Sequence, residues 1–320
     1  MVTTDAQKRI IFIGGPTASG KTAVGVQVAQ RLGAEIVSCD SMQVYQDVRI
    51  ASNKPSRQEL EAVAHHMIDM VPLTEGFDAA QFERGARQAI DDIQQRGQPV
   101  VVVGGTGMYM KVLLDGIFAD HSGDPLIVGQ LQADLERHGS AVLHEQLTAV
   151  DPEAARKIHV NDARRIMRAL EVYHATGMPI SRLQQQTQGL WGRKGVFVFG
   201  LDMNREDLYH RIEDRVEMMF REGLVQEIQS LSEISLSRTA QAIIGIKEVR
   251  RYLLGEWTLD QAKEEMKKNT RRLAKRQMTW FRAERRLQWI PISRGQGAGS
   301  AAQRIMEEVE RNDGASQGER

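Results

Sequence analysis

The chain has 320 residues, enough to bury a large core and to form two domains. Its 42 basic and 42 acidic residues balance, so a nucleic-acid surface would require segregation of charge within the molecule. The single cysteine, Cys39, excludes an internal disulfide framework and a Cys2His2 zinc finger. The N-terminus is polar, and no stretch approaches the ~18 apolar residues of a membrane span. We therefore expect a soluble, cytoplasmic protein without a membrane partner.

A phosphate-binding motif follows the first apolar run of the chain, Ile10–Ile13. It reads Gly-Pro-Thr-Ala-Ser-Gly-Lys-Thr, which fits the pattern G-x-x-x-x-G-K-[ST], and a helical pattern begins directly after it. Glycine permits backbone conformations in which successive N–H groups point at one anion, and the helix N-terminus adds positive charge. The lysine adds a full charge, and the last hydroxyl is placed to bind Mg²⁺. The predicted pyrophosphate cradle is Gly15, Pro16, Thr17, Ala18, Ser19, Gly20, Lys21 and Thr22.

Short apolar strands alternate with amphipathic helices in the N-terminal part of the chain. This pattern predicts an α/β fold with a P-loop NTPase-like core, in which the sheet is parallel. After the first strand come a second strand, Glu35–Ser38, a helix over about 78–94, and the strand Val100–Val103. The last strand is the most apolar and is predicted to be central. Residues 1–114 are assigned to this catalytic core.

Two strand ends carry residues suited to chemistry. Ligands of open α/β sheets lie beyond the carboxyl ends of the strands, so Asp40 should face the same crevice as Lys21. The strand Val100–Val103 ends in Gly104-Gly105-Thr106-Gly107, where hydrolytic P-loop enzymes usually have a Mg²⁺-binding Asp. This tip favours close approach of the backbone to another group, with one hydroxyl nearby, although a tight turn would also use glycine.

An all-helical segment is predicted over about 115–195, between two strands of the sheet. Such an insertion indicates a separate small domain that acts as a lid or clamp. Helical patterns cover 126–137, 140–147 and 162–175. The last of these carries three arginines within about one turn, which form either a phosphate-binding face or an ordinary solvated surface; they are Arg164, Arg165 and Arg168.

The core is predicted to resume over 196–292, with a strand at Val196–Leu201 and a helix that Asn204 caps. Arg211 and Arg215 lie one turn apart on that helix. Residues beyond 292 are rich in Gly, Ser and Gln. We therefore predict a flexible tail over 293–320, interrupted by one short helical pattern at 301–311.

One part of the resumed core breaks the charge balance of the chain. Between Lys267 and Arg286 there are nine Lys or Arg residues and one acidic residue, Glu284. Trp280 and Phe281 are interleaved with them. Basic residues beside aromatic ones suit a nucleic-acid backbone with stacked bases, and a solvated helix surface is the alternative.

Several blocks of sequence together resemble the bacterial tRNA dimethylallyltransferases, and they run in order along nearly the whole chain. The P-loop alone is generic, whereas the Asp-Ser-Met-Gln-Val-Tyr and Gly-Gly-Thr-Gly blocks are specific. The matching blocks are Gly15–Thr22, Asp40–Tyr45, His65–Asp69, Ala79–Phe82, Gly104–Tyr109, Asn161–Asp162 with Arg164–Tyr173, Arg211–Val216 and Thr270–Arg282.

The resemblance implies transfer of a dimethylallyl group from dimethylallyl pyrophosphate to N6 of adenine 37, next to the anticodon, in tRNAs that read codons beginning with U. The partner is then the tRNA anticodon stem-loop, gripped by the inserted helices, and the enzyme is expected to be a monomer. The lone pair of the adenine amine is delocalised into the ring, so the reaction needs a stabilised leaving group and a base. The target base must also leave the anticodon-loop stack.

Carried over by position, the roles of the family's residues fall on the strand ends already described. Asp40 would be the general base, and Thr106 would bond the same site. Arg215 and the P-loop with Mg²⁺ would stabilise the leaving pyrophosphate, and Thr22 would bind the metal. The expected tRNA contacts, with the basic run included, are Asp40, Ser41, Met42, Gln43, Thr106, Arg164, Arg165, Ile166, Met167, Arg168, Arg271 and Arg272.

The chain departs from the family's pattern at two positions. Ile246 replaces the aromatic residue of an Ala-Ile-Gly-Tyr-[Lys/Arg] block, and Val128 stands where a basic residue is usual. Both departures concern local tRNA contacts and leave the chemistry intact. His65 and His66 are expected to be structural.

Two other functions explain part of the sequence. A small-molecule or nucleotide kinase would use Lys21, Thr22 and Asp40 on ATP, but it would not explain the basic run. A non-catalytic RNA-binding P-loop protein would explain the basic run, but it would leave Asp40 and Thr106 without a task. Only prenyl transfer to tRNA gives each of these features a role.

Overall fold

The computed structural model describes residues 8–118, 124–293 and 295–317. The described residues form two compact units, one from 1–114 with 190–320 and the other from 115–189. The second unit thus ends at residue 189, where the sequence analysis placed the boundary at 195.

The first unit is built on a parallel sheet. Its described strands are β1 (Ile10–Gly14), β2 (Glu35–Ser38), β3 (His65–His66), β4 (Val100–Gly104), β5 (Val196–Met203) and β6 (Gln288–Ile292). They lie in the order β3-β2-β4-β1-β5-β6. Every residue of β1 and β4 is buried, because helices cover both faces of the sheet. The prediction that the most apolar strand is central is therefore confirmed.

Helix boundaries follow the capping signals of the sequence. Asp78 accepts hydrogen bonds from two first-turn N–H groups of the helix that begins at Ala79, and Asn204 accepts one in the helix that begins at Arg205. The helices are α1 (Lys21–Leu32), α2 (Arg57–Ala62), α3 (Ala79–Gln95), α4 (Gly107–Asp115), α5 (Pro125–Val150), α6 (Pro152–Lys157), α7 (Ala163–Thr176), α8 (Ile180–Gln185), α9 (Arg205–Arg221), α10 (Leu224–Gln229), α11 (Ile246–Leu253), α12 (Leu259–Ala283) and α13 (Ala298–Gln317).

The second unit has a core of its own, formed by the apolar faces of α5 to α8. Gly139 has non-helical dihedral angles and divides α5 at the position where the two predicted helical patterns meet. Leu143, Leu147, Ile166 and Leu170 are buried in this core. Strands are absent from the described residues of this unit, as the sequence predicted.

The C-terminal region is helical, as the short pattern at 301–311 predicted, but the helix is longer than that pattern and takes the place of the predicted flexible tail. Residues 298–317 form α13, which packs against α1 and buries Ala301, Ala302, Ile305 and Val309. The preceding strand β6 was also missed. The small residues of α13 suggested a linker, but their spacing gives an apolar stripe that becomes stable only against the sheet and α1. Among the described residues, no helix is both long enough and apolar enough to cross a membrane.

The carboxyl edge of the sheet depends on close approach of two backbones. A Cβ at Gly104 would lie 1.9 Å from the carbonyl oxygen of Cys39 and 2.2 Å from its carbonyl carbon. Cys39 cannot move aside easily, because its N–H donates to the Val103 oxygen at 2.7 Å. Glycine at the end of β4 therefore sets the distance between the two loops that follow β2 and β4.

We expect Gly104→Ala to destabilise the protein by at least ~3 kcal/mol, because backbone atoms must move to admit the methyl group. The matched control is Gly299→Ala in α13, where the nearest non-local atom to a Cβ is the Arg31 side chain at 3.8 Å. That change should be neutral or stabilising by up to ~1 kcal/mol. Urea unfolding of the two variants measures the difference. Equal stabilities would contradict the argument.

Candidate active site

The loops after β1, β2 and β4 gather at one edge of the sheet. The N–H of Thr106 donates to the Cys39 carbonyl at 3.2 Å, which ties the loop after β4 to the loop after β2. The N–H of Ser41 donates to Thr106 Oγ1 at 3.0 Å, and that hydroxyl donates to Ser41 Oγ at 3.2 Å. The structure therefore brings Asp40 and Thr106 to the same loop pair.

The P-loop has the conformation of an anion cradle. Ala18 and Gly20 both have positive φ, at 65° and 86°, and the N–H of Ser19 donates to the Pro16 carbonyl at 3.2 Å. A non-glycine residue in the left-handed region stores strain and is frequent at ligand sites. The helix α1 begins at Lys21 without a side-chain cap, so its first N–H groups are available to a bound anion.

Two arginines of α9 reach this loop from the other side of the sheet edge. Arg215 Nη1 donates to Thr17 Oγ1 at 2.8 Å, and Arg211 Nη1 donates to the Ser19 carbonyl at 3.1 Å. The sequence analysis gave a role only to Arg215. The one-turn spacing of the two arginines was the signal for Arg211, but which loop they contact depends on the fold.

Two buried basic side chains, Lys21 and Arg215, lie at this edge of the sheet. The pKa of Lys21 falls to about 8, mainly because the ammonium is removed from water, while Asp40 opposes the shift and Arg215 adds to it. Desolvation also lowers the pKa of Arg215 to about 10, again opposed by Asp40. Two cations thus share one nearby carboxylate. Such an arrangement leaves one positive charge in excess and favours a negatively charged ligand.

The carboxylate of Asp40 is held by its own turn. Oδ1 accepts a hydrogen bond from the N–H of Met42 at 2.9 Å, and Oδ2 has no hydrogen-bond partner among the described residues. Gln43, three positions after Asp40, is buried and uses both ends of its amide on protein groups, Ser38 Oγ and the Asn53 carbonyl. Gln43 therefore supports the turn, whereas one oxygen of Asp40 remains available for proton transfer.

A histidine that the sequence analysis treated as structural lies at the same site. Together with Lys21, Thr22 and Asp40, His65 lines a cavity of about 10 Å³. Its Nδ1 bonds to the Val63 carbonyl at 2.8 Å, and its Nε2 is buried without a partner among the described residues. Burial lowers the pKa of His65, which keeps the ring neutral. The neighbouring His66 instead pairs with Glu35 at 2.6 Å, a structural contact.

The basic run on α12 is divided into paired and exposed charges. Lys263 and Lys267 both contact Glu217 of α9 at 2.8 Å, and hydrogen bonds from these lysines lower the pKa of Glu217 to about 2. Arg271 pairs with Glu213 at 3.1 Å, so part of the run joins two helices. Other basic side chains of the run are exposed and have no ion pair within the described part of the chain: Arg272, Lys275, Arg276, Arg282 and Arg285.

The residues of the second unit that are expected to contact tRNA differ in their exposure to solvent. Arg164 and Arg165 are exposed, while Arg168 pairs with Glu171 at 3.1 Å. Ile166 is fully buried in the core of this unit, so its side chain contacts only protein; the expectation that it binds tRNA through its side chain is corrected. Met167 is partly buried beside the same core.

The two departures from the family's pattern have different surroundings. Ile246 is 2% exposed and packs in a core cluster with Leu224 and Met266, so the side chain at this position serves the interior. Val128 is 39% exposed on α5 and leaves an apolar side chain at the surface. Burial explains why an apolar residue is tolerated at the first position.

Comparisons with known proteins match most of the chain to one family. A family model described as IPP transferase matches residues 43–284. The tRNA dimethylallyltransferase of Geobacter metallireducens is 42% identical over 288 residues, which cover 89% of this chain and 93% of that protein. The tRNA dimethylallyltransferase of Desulforudis audaxviator is 43% identical over 303 residues, which cover 94% and 97%.

Solved structures have the same architecture. A tRNA isopentenylpyrophosphate transferase from Bacillus halodurans aligns with a TM-score of 0.70 at 34% identity, covering 97% of this chain and 99% of that chain. A eukaryotic dimethylallyltransferase, described as acting on tRNA, aligns with a TM-score of 0.80 at 30% identity, covering 95% and 80%.

The affinity for an unreactive alkyl diphosphate should fall by up to about tenfold per pH unit between pH 8 and 9.5. The cradle predicts that Lys21 binds the anion as an ammonium group, and in the ligand-free site its pKa is about 8, so binding above that pH would require Lys21 to take up a proton. The terminal phosphate, with an ordinary second pKa of ~6, is already ionised there. Calorimetric titration measures the slope.

The control is Lys21→Arg, whose guanidinium stays protonated throughout this range. Its affinity can differ from that of the unaltered protein, but the affinity should not change with pH. An equal slope in both proteins would show that another group is responsible, and a flat profile in the unaltered protein would show that Lys21 takes up no proton when the ligand binds.

Proposed function

Because this chain belongs to the IPP transferase family, we propose that its P-loop edge transfers a dimethylallyl group from dimethylallyl pyrophosphate to N6 of the adenine just 3′ of the anticodon in tRNA. The protein is a prenyltransferase that modifies tRNA, like its relatives. The observation that carries the assignment of the site is the pair of desolvated cations, Lys21 and Arg215, beside the single carboxylate of Asp40.

The leaving group is stabilised by the P-loop side of the site. As the bond between C1 of the prenyl group and the pyrophosphate oxygen breaks, negative charge grows on that oxygen. Lys21, Arg215 and the N–H groups at the start of α1 then interact more strongly with the product than with the substrate, which is the condition for lowering the barrier. The allylic carbon tolerates the positive charge that develops on it.

The loops after β2 and β4 orient the nucleophile, the adenine N6 amine, and accept its proton. As the adenine N6 forms its bond to C1, it becomes more acidic, and its proton passes to the carboxylate of Asp40. The hydrogen bond from Met42 fixes one oxygen, which leaves Oδ2 to receive the proton. Thr106, held against Ser41, presents its hydroxyl to the same amine and helps to orient the base.

The residues present fit a bound Mg²⁺. This ion keeps several waters and is held through one or two protein oxygens together with substrate phosphates, so a cluster of carboxylates is not required. No group of three or more metal-binding side chains occurs in the described part of the chain. Thr22 and Asp40 both line the cavity beside Lys21, and Thr22 would hold the ion there. When bound, Mg²⁺ supplies charge neutralisation on the pyrophosphate.

The tRNA is bound by two sets of exposed cations. One set lies on α12 and includes Arg272 and Arg276; the other lies on α7 and includes Arg164 and Arg165. In the described part of the chain Arg272 and Arg276 have no ion pair, and Arg165 has a solvent-exposed one with Asp162 at 3.4 Å, so the cations on each helix can contact RNA phosphates. The neutral charge balance of the chain is thus compatible with RNA binding.

Prenyl transfer is tested with purified protein, labelled dimethylallyl pyrophosphate and unmodified tRNA. Label that enters tRNA at the adenine beside the anticodon supports the proposal. ATP turnover on a small substrate, without label in tRNA, would favour the kinase alternative. Binding of tRNA without either reaction would leave the chain as an RNA-binding protein.

Asp40→Asn should lower kcat by about 10²–10⁴-fold, the usual effect of losing a general base, and should change tRNA affinity by less than about threefold. The amide oxygen still accepts the hydrogen bond from Met42, so the turn is retained. Asp92→Asn, an exposed carboxylate near the end of α3, is the matched control and should be as active as the unaltered enzyme. Parallel losses in turnover and affinity would assign Asp40 to recognition instead.

Replacing Arg272 and Arg276 together by Ala should weaken tRNA binding and reduce the slope of log Kd against log salt by about 1 for each phosphate that the protein no longer binds. The control is Arg31→Ala. Arg31 is an arginine in the last turn of α1, at the end of that helix away from the P-loop, and its loss should leave the slope unchanged. Binding is measured by filter retention at several salt concentrations. An equal slope in all three proteins would show that this face of α12 does not bind RNA phosphates and is an ordinary solvated surface.

A further inference from the structure

One side chain of α12 contacts both loops of the site. Gln277 Oε1 accepts a hydrogen bond from the N–H of Thr17 in the P-loop at 2.8 Å. Its Nε2 donates to the carbonyl of Gly105, directly before Thr106, at 3.0 Å. The amide therefore uses its acceptor on the pyrophosphate side of the site and its donor on the adenine side.

The glycines of the loop after β4 are explained by this helix. A Cβ at Gly105 would lie 2.5 Å from Gln277 Nε2, and a Cβ at Gly107 would lie 2.1 Å from the Trp280 ring. At the end of β1, a Cβ at Gly14 would lie 2.6 Å from the Phe281 ring. The close approach that the glycine-rich tip predicted is therefore made by α12 at Gly105 and Gly107, and by the Cys39 backbone at Gly104.

We propose that Gln277 is a positioning residue for prenyl transfer, which fixes the distance between the pyrophosphate cradle and the adenine-binding loop. The reasoning rests on the proposed function. Thr17 is also the residue that Arg215 of α9 contacts at 2.8 Å, so the loop held by Gln277 is in contact with the leaving-group cation. Gly105 precedes the hydroxyl that holds the Asp40 turn. An in-line displacement needs both partners at one spacing, and a misplacement of ~1 Å can cost about 10²-fold in rate.

The chemistry of the amide suits this task better than a charged side chain would. A neutral amide offers one acceptor and two donors in one plane, so it can satisfy an N–H and a carbonyl at the same time. A lysine or a carboxylate at this position would satisfy only one of them and would place a charge beside the pyrophosphate. The two hydrogen bonds join residues 260 and 172 positions apart in the chain.

Gln277→Met tests the proposal, because it keeps the length of the side chain and removes both hydrogen bonds. We expect kcat for prenyl transfer to tRNA to fall by about 10–100-fold while the KM for tRNA changes by less than about threefold. Thermal unfolding is measured on the same samples. A side chain that only stabilised the fold would lower the unfolding temperature and leave kcat of the folded fraction unchanged.

The matched control is Gln303→Met on α13, where the amide makes a surface contact with Glu307 at 3.0 Å. This variant should have the kcat and KM of the unaltered enzyme. If the unaltered enzyme itself transfers no prenyl group to tRNA, the proposed function fails. If it does so and Gln277→Met retains kcat within about threefold, or loses only tRNA affinity, the positioning role alone is overturned.

A second variant keeps the test decisive if Gln277→Met does not fold. Gly105→Ala places a methyl group where the Gln277 amide lies and should lower kcat to a similar extent. In the double variant with Gln277→Ala, the methyl group no longer meets the amide, so the two effects on kcat should not add. If the fold-decrease in kcat of the double variant equals the product of the two single fold-decreases, Gly105 and Gln277 act independently and the proposal is overturned.

Discussion

The structure depends on two desolvated cations that share a single carboxylate. Lys21 belongs to the P-loop and Arg215 to α9, and removal from water lowers the pKa of both groups. Charge removed from water is costly unless opposite charge accompanies it, and Asp40 supplies one negative charge against two positive ones. This excess of positive charge is the basis of the proposal that the edge binds a pyrophosphate.

The helix α12 gives this site its shape. Its inner side carries Phe281 against Gly14 and Gln277 against Gly105, so the helix can approach the strand ends only where a side chain is missing. Its opposite side presents Arg272 and Arg276 to solvent. A single helix thus contacts the loops after β1 and β4 on one side and presents exposed cations on the other.

The basic residues of α12 fall into two groups, those paired with carboxylates of α9 and those exposed to solvent. Lys263, Lys267 and Arg271 are paired with Glu213 and Glu217 and hold α9 to α12. These pairs join the helix that carries Arg215 to the helix that carries Gln277. The exposed basic residues of α12 lie where a phosphate backbone can reach them. The run of basic residues therefore has two roles, and counting charges along the sequence does not separate them.

The sequence by itself determined the features that depend on neighbouring residues: the P-loop, the cap Asn204, the central strands, and the positions of Asp40 and Thr106 after their strands. It missed β6, the full length and the packing of α13, and the contacts of Gln277. The tertiary structure alone decided these, because the stripe of α13 is stable only against α1, and the amide of Gln277 meets a backbone N–H 260 residues away. Local patterns record the conformation of a segment, whereas contacts between distant segments exist only once the sheet has brought them together.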